Sequence, residues 1–271
     1  MSIYDVITFF NELDLLELRM EILDPYVDFF VVNESNTTFS GNYKPLYFLE
    51  NMSKFNKFQH KIIHYVFDED TSKMDQWERE SAQRNGSINV LNRYCVDDDI
   101  VFFGDVDEIP NFENINLENV YQPDKLFVCH QDFYYYYFNT LFTDSTQPNN
   151  FWEGTRFCSY ELLKQNSIDS LRNVNSDFNK NNLDKVVDLN NTGWHFSFLG
   201  NADKIKYKIE SYSHQEMNIP VVKENIQKNI NELRDPFFRR NVNIHKVDMT
   251  LETHPKYLLD NLEKYKEYIK K

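Results

Sequence analysis

Two runs, VDFFVV at residues 27–32 and DIVFFG at 99–104, are apolar enough to be strands buried on both faces. Such strands need cover on each side, as in parallel sheets sandwiched between helices. The stretches between them supply that cover. Residues 12–23 place Leu13, Leu16, Met20 and Leu23, with Leu15 and Ile22, on a helical apolar face that stops at Asp24-Pro25. Residues 74–92, rich in Glu, Arg and Gln, predict one long helix. Two more β-rich runs, 3–10 and 61–67, complete the alternation. The expected fold is α/β: a single Rossmann-like mixed sheet flanked by helices, with ligands bound beyond the carboxyl ends of its strands.

The rest of the chain is less regular. Residues 125–132 and 133–138 (FYYYYF) predict two strands, the second very aromatic. Residues 149–159 carry Trp152, and 193–200 (GWHFSFLG) carry Trp194. The polar, Asn-rich stretch 167–189 predicts a loop with a short helix, and 202–211 and 221–233 predict helices. Residues 257–270 predict a C-terminal amphipathic helix with Leu258, Leu259, Leu262, Tyr265 and Ile269 on one face. No repeat or Gly/Ser/Pro-rich linker divides the sequence, so residues 1–271 are expected to form one domain.

Composition excludes several classes of function. The net charge of −14 opposes wrapping nucleic acid or lying on an anionic membrane. No apolar run approaches the ~20 residues of a membrane-spanning helix. The opening MSIYDVITFF lacks the basic and long apolar regions of a signal peptide, and a cytoplasmic location is expected. Three widely spaced cysteines, Cys95, Cys129 and Cys158, fit a reducing compartment and give neither a disulfide framework nor zinc spacing. The 16% of aromatic residues could include a surface on which sugars stack.

The segment most suggestive of chemistry is IVFFGDVDEIP, residues 100–110, where a buried strand runs straight into Asp105-Val106-Asp107-Glu108. If the segment stays extended, Asp105 and Asp107 project to one side and could share a hard cation, Mn²⁺ or Mg²⁺, bridging to a diphosphate. The plainer reading is a solvated acidic turn. His195, within GWHFS, is either a packed core histidine or a nitrogen ligand for the same metal; His214 is a weaker candidate. Arg84 either solvates its helix or pairs with a phosphate at the sheet's ligand edge. Trp152, beside Glu153 and Gly154, is either core or a flat face for a sugar.

These residues fall within a wider pattern. Residues 4–35, continued by Thr37-Thr38-Phe39-Ser40-Gly41 and Lys44-Pro45-Leu46, resemble the start of glycosyltransferase family 17, the family of the β-1,4-mannosyl-glycoprotein 4-β-N-acetylglucosaminyltransferases. Asp105–Pro110, Gly193–Ser197 and residues 211–214 are similar to later parts of the same family, collinear to about residue 220. The resemblance implies a GT-A fold and a nucleotide-sugar donor, UDP-GlcNAc in the animal members. It also implies Mn²⁺ on the D-x-D motif and inversion at the anomeric carbon. Residues 1–110 would then form the nucleotide-sugar half and 111–271 the acceptor half. On this reading Asp105, Asp107 and His195 hold the metal, while Phe10, Asn11, Glu34, Arg84 and Asp105 hold the nucleotide. The base is Glu153, with Asp132 next and His214 after it. The partners are a nucleotide sugar and a glycan acceptor. Animal members carry a membrane anchor and stem; this chain starts at its first strand, so a cytosolic bacterial or viral member, or an excised catalytic domain, is expected.

Two other functions compete. A haloacid-dehalogenase-like phosphohydrolase also places an Asp-x-Asp after an apolar strand, though normally near the domain start and followed by Thr or Val. A non-catalytic sugar-binding protein could retain a GT-A shell.

Overall fold

The structure, a computed structural model, describes residues 1–146, 150–173 and 175–271; Asn149, at the edge of the stretch expected to carry Trp152, and Val174, within the Asn-rich stretch, lie outside them. The strands are β1 (Ile3–Phe9), β2 (Phe29–Ser35), β3 (Ile62–Phe67), β4 (Ile100–Asp105), β5 (Glu108–Pro110), β6 (Leu126–Tyr135), β7 (Thr140–Asp144), β8 (Phe151–Ser159), β9 (Val186–Leu189), β10 (Gly193–Ser197) and β11 (Val242–Lys246). They form a mixed sheet in the order β11-β7-β6-β8-β4-β1-β2-β3, with β9 and β10 also pairing with β6, and β5 with β10.

The parallel part is β4-β1-β2-β3. The chain winds outward from β1 to β3, then returns to place β4 on the other side of β1. The crevice at the carboxyl ends of β1 and β4 is therefore a topological switch point, where open α/β sheets bind ligands. As the apolar pattern requires, β4 is buried on both faces. Ile100 and Phe102 join one core with the Leu13–Leu23 helix, and Val101 and Phe103 join another with Val90 and Leu91. Beyond β4 the sheet turns antiparallel through β8 and β6.

Several sequence expectations change. The long helix breaks into Gln76–Gly86, opened by an Asp75–Glu78 capping box, and Ile88–Tyr94. The break falls where a Cβ on Gly86 would lie 2.8 Å from the Phe67 ring and where Ser87 Oγ accepts a bond from Asn33 Nδ2 at 2.7 Å; the packing of helix on sheet sets it. The two expected strands at 125–138 are one ten-residue strand that ends at Tyr135, just before Tyr136 at φ 69°. Nothing between Asp132 and Phe133 encodes a turn. The Asn-rich stretch holds two short helices, Ile168–Arg172 and Asp177–Asn181, each capped by a serine, and β9. The C-terminal helix shrinks to Lys256–Asp260. Its apolar residues Leu258 and Tyr265 are buried, but the backbone beyond is drawn into tertiary bonds: Tyr268 O accepts from Phe138 N, and Lys270 N donates to Asn139 Oδ1.

One irregularity matters for the site. Val128 of β6 pairs with Arg156 of β8, and His130 with Glu153. Cys129 thus faces two residues, Gly154 and Thr155, in a β-bulge. A Cβ on Gly154 would lie 1.9 Å from Gln131 Oε1, so any larger residue there displaces the Gln131 side chain.

No helix among the described residues is long and apolar enough to cross a membrane.

Candidate active site

The acidic turn is clamped from below. Arg19, on the Leu13–Leu23 helix, donates to the carbonyls of Asp105 and Glu108, and its guanidinium is held by both oxygens of Asp5 in β1 at 2.8 and 2.6 Å. Asp5 and Arg19 are completely buried. A charge pair so deep costs much desolvation, and here the polar atoms of both side chains are bonded. Glu108, also buried, accepts from Asp105 N (3.1 Å), Trp152 Nε1 (2.7 Å) and Arg172. A Cβ on Gly104 would lie 2.9 Å from that carboxylate and 2.7 Å from Thr155 Oγ1, so only glycine admits it.

On this platform Asp105 and Asp107 diverge, because residues 106 and 107 turn rather than stay extended. Asp105 faces Arg172 at 3.0 Å and Arg84 at 3.3 Å, and Arg84 also holds Glu80 at 2.6 Å. Burial pushes the Asp105 carboxyl up, but Arg172 and Arg84 outweigh it and hold it below the usual range. Arg84 and Arg172 line a small cleft with Val6, Thr8, Ser87 and Gly104, over the ends of β1 and β4. Arg84 Nε and Arg172 Nη1 are buried there with no hydrogen-bond partner among the described residues.

Asp107 points the other way. Lys208 Nζ lies 2.8 Å from one oxygen and His195 Nε2 3.6 Å from the other. Burial opposes ionisation, and Lys208 and His195 reverse it, leaving the carboxyl well below the usual range. Lys208 also reaches Glu12 at 3.3 Å. His195 stacks on Phe133, with centroids 4.5 Å apart, and lies 4.8 Å from Trp152. The expected metal set of Asp105, Asp107 and His195 therefore does not assemble. The two carboxylates face different cations, and among the described residues no three His, Cys, Asp or Glu side chains group to hold a metal ion.

The other expected residues separate. Phe10 and Asn11 follow β1. The Phe10 ring lies 5.2 Å from Tyr207 and under Lys44, an ammonium that burial pushes down to about 8. Glu34 is fully buried and accepts from Phe48 N, Leu49 N and His64 Nε2. These bonds anchor the turn at 47–50, a structural task rather than the expected nucleotide contact. Asp132 pairs in register with Trp194 and alternates with Phe133. It therefore lies on the face where Trp194 and Tyr134 donate to Thr253 O, opposite His195 and Asp107. His214 is exposed and bonded to Glu216 at 2.7 Å. Glu153 is half-exposed, with Arg156 at 3.4 Å. That i,i+3 contact exists because the bulge brings both side chains to one face, while Trp152 turns to Glu108.

Arg19, Arg172, Lys208, Glu12 and Glu108 escape the sequence reading as site residues. Arg172 sits in a stretch without periodicity. Lys208 had a usable signal: it is three residues after buried Ile205 and next to buried Ile209, at the edge of the apolar face, unlike exposed Lys204 and Lys206.

The comparisons with known proteins bear on this arrangement. Residues 1–269 match the model of glycosyltransferase family 17, and the chain belongs to that family. The human β-1,4-mannosyl-glycoprotein 4-β-N-acetylglucosaminyltransferase is 31% identical over 120 residues, covering 41% of this chain and 22% of the relative. The mouse protein of the same description is 30% identical over the same length. The match thus spans about a fifth of these curated relatives. Two solved structures are similar at lower levels. The inositol-1-phosphate CTP transferase from T. maritima has 12% identity and a TM-score of 0.41, covering 87% of this chain and 98% of that one. HddC from Yersinia pseudotuberculosis has 12% identity and a TM-score of 0.39, covering 86% and 100%.

Proposed function

We propose that this chain is an inverting glycosyltransferase of GT-A type that moves N-acetylglucosamine from UDP-GlcNAc onto a glycan hydroxyl. The observation that carries the reading is the clamped Asp105–Glu108 turn of a family 17 chain, set at the sheet's switch point with arginines on one side and an aromatic platform on the other. The nucleotide lies over the ends of β1 and β4, its base against Phe10 and its ribose and phosphates near Asp105, Arg84 and Arg172. Guanidinium groups suit phosphate because they donate in a planar fork. The sugars pack on Trp152, which is 38% exposed, with Phe133 and His195 behind it. As the acceptor oxygen attacks the anomeric carbon and the bond to the diphosphate breaks, its proton passes to a general base. Glu153 projects from the side of β8 opposite Trp152, as Asp132 does on β6, and faces Arg156, so it does not serve the sugar platform. No step here runs through a metal, since Asp105, Asp107 and His195 are not arranged for one.

The test is UDP release from UDP-GlcNAc, run in Mn²⁺ and in EDTA, beside UDP-galactose, UDP-glucose and a simple phosphate ester. Release from UDP-GlcNAc above the other sugars is expected. Hydrolysis of the ester alone would indicate a phosphohydrolase, and no turnover with retained sugar binding a lectin. Glu153→Gln should keep UDP affinity and leave transfer within a few-fold of wild type; a ~10²–10⁴-fold loss would return the role of base to Glu153.

A further inference from the structure

Lys208 occupies a position that an ordinary surface lysine does not. Asn201 caps its helix, Ala202–Ser211, and buried Ile205 and Ile209 fix that helix to the sheet, so the side chain at 208 is delivered to the acidic turn. Its stem crosses Phe198, with Nζ 5.7 Å from the ring centroid. Nζ donates to Asp107 at 2.8 Å and lies 3.3 Å from Glu12. Both carboxylates are themselves placed by the backbone. Asp107 O accepts from Phe196 N at 2.9 Å, and Glu12 accepts from Asn11 N at 3.0 Å. An ammonium carries three protons, and two of its directions are used among the described residues. The side chain is 24% exposed, and the third proton is the one a ligand would meet.

The location decides what that ligand is. Asp105, Asp107, Glu108 and Glu12 together repel any anion brought to the ends of β1 and β4. Arg84 and Arg172 offset this on the Asp105 side, where the nucleoside end of a donor belongs. Lys208 is the cation on the Asp107 side, and Asp107 adjoins His195 and the Trp152 platform where the sugars belong. A sugar nucleotide laid between the two has its diphosphate, and the bond that breaks, beside Lys208.

Resting on the glycosyltransferase reading, we propose that the Lys208 ammonium binds the sugar-bearing phosphate of the donor and receives the leaving diphosphate, at the side of Asp107 where a metal ion was expected. As the anomeric C–O bond breaks, its electron pair passes to the phosphate oxygen, which accepts a hydrogen bond from Lys208. The ammonium keeps its protons, and the acceptor's proton goes to the base. Asp107 and Glu12 hold the ammonium in place, so that its charge is already aimed at the oxygen on which charge develops.

The experiment is calorimetric titration of wild type, Lys208→Gln and Lys208→Arg with UDP, UMP and uridine, all in EDTA and repeated in Mn²⁺. Wild type in EDTA should prefer UDP to UMP and uridine. Lys208→Gln should weaken UDP about 10- to 100-fold, the loss of a charge-assisted hydrogen bond, while uridine binding stays unchanged and Lys208→Arg keeps most of the preference. A footprint on the wild type needs no variant to fold: UDP, and not uridine, should protect Lys208 from reductive methylation, with Lys204 and Lys206 as controls on the same helix. Unchanged UDP affinity in Lys208→Gln, or absent protection, overturns the proposal. So does UDP binding that appears only with Mn²⁺ and is then equal in wild type and Lys208→Gln. If wild type binds none of the three with or without Mn²⁺, the donor reading itself fails, a result distinct from the others.

Discussion

Two carboxylate–arginine groups hold the segment that follows β4, one reaching it from the middle of β1 and one at its own end, and they differ in what they leave unused. Below the turn, Asp5 and Arg19 are fully buried, and both oxygens and the guanidinium nitrogens have partners. Above it, the Asp105 side chain is 35% exposed, and Arg84 and Arg172 each keep a buried N–H with no partner among the described residues. Buried donors left unpaired are costly, so they are retained where something else completes them. The lower group holds the turn; the upper one is open to a ligand with acceptor oxygens.

That contrast can be broken from either side. The largest effect is expected from Arg19→Met, which strands the Asp5 charge in the core. It should cost about 3–5 kcal/mol of stability, measured by urea unfolding; a loss under about 1 kcal/mol would falsify the structural assignment. Arg84→Ala and Arg172→Ala come next. Each should weaken UDP binding by about 1.5–3 kcal/mol, read by titration, with a smaller loss of stability than Arg19→Met. The reverse ranking would move these arginines into the scaffold. The smallest effect is in pH. Because the Asp105 carboxyl is held below its usual range, its contribution to stability is complete above the unfolded value of about 3.9 and is lost as pH falls through the lowered folded value. Wild type and Asp105→Asn should therefore begin to converge in stability as pH falls below about 4 and meet only below the lowered folded value, as followed by urea midpoints across the acid range. A gap that does not shrink as pH falls from about 4 removes Asp105 as its source.

The two groups were also unequally legible. Asp105, Asp107 and Arg84 could be found because their signals are local: a motif at the end of an apolar strand and an arginine on the preceding helix. Asp5–Arg19 could not, since an aspartate inside a strand and an arginine inside a helix announce nothing until a parallel β-α unit brings them together. Arg172 reaches Asp105 across 67 positions, and Lys208 reaches Asp107 across 101; neither pairing has a periodicity. The strands β1 to β4 and the first helix follow from apolar spacing. The C-terminal helix fails for the opposite reason: its apolar spacing is real, but its backbone bonds to the loop after β6 outweigh helical propensity.

The bulge in β8 gives the molecule a property that belongs to counting rather than to any side chain. Along a strand, odd and even positions look to opposite sides, so the extra residue at Gly154–Thr155 sets the phase of everything before it. Deleting that one residue would exchange Trp152 and Glu153 between the two sides of the sheet without altering either. Trp152 would leave Glu108 and His195, and Glu153 would take its place among the anions. The number of residues at the bulge thus constrains the site independently of which residues they are.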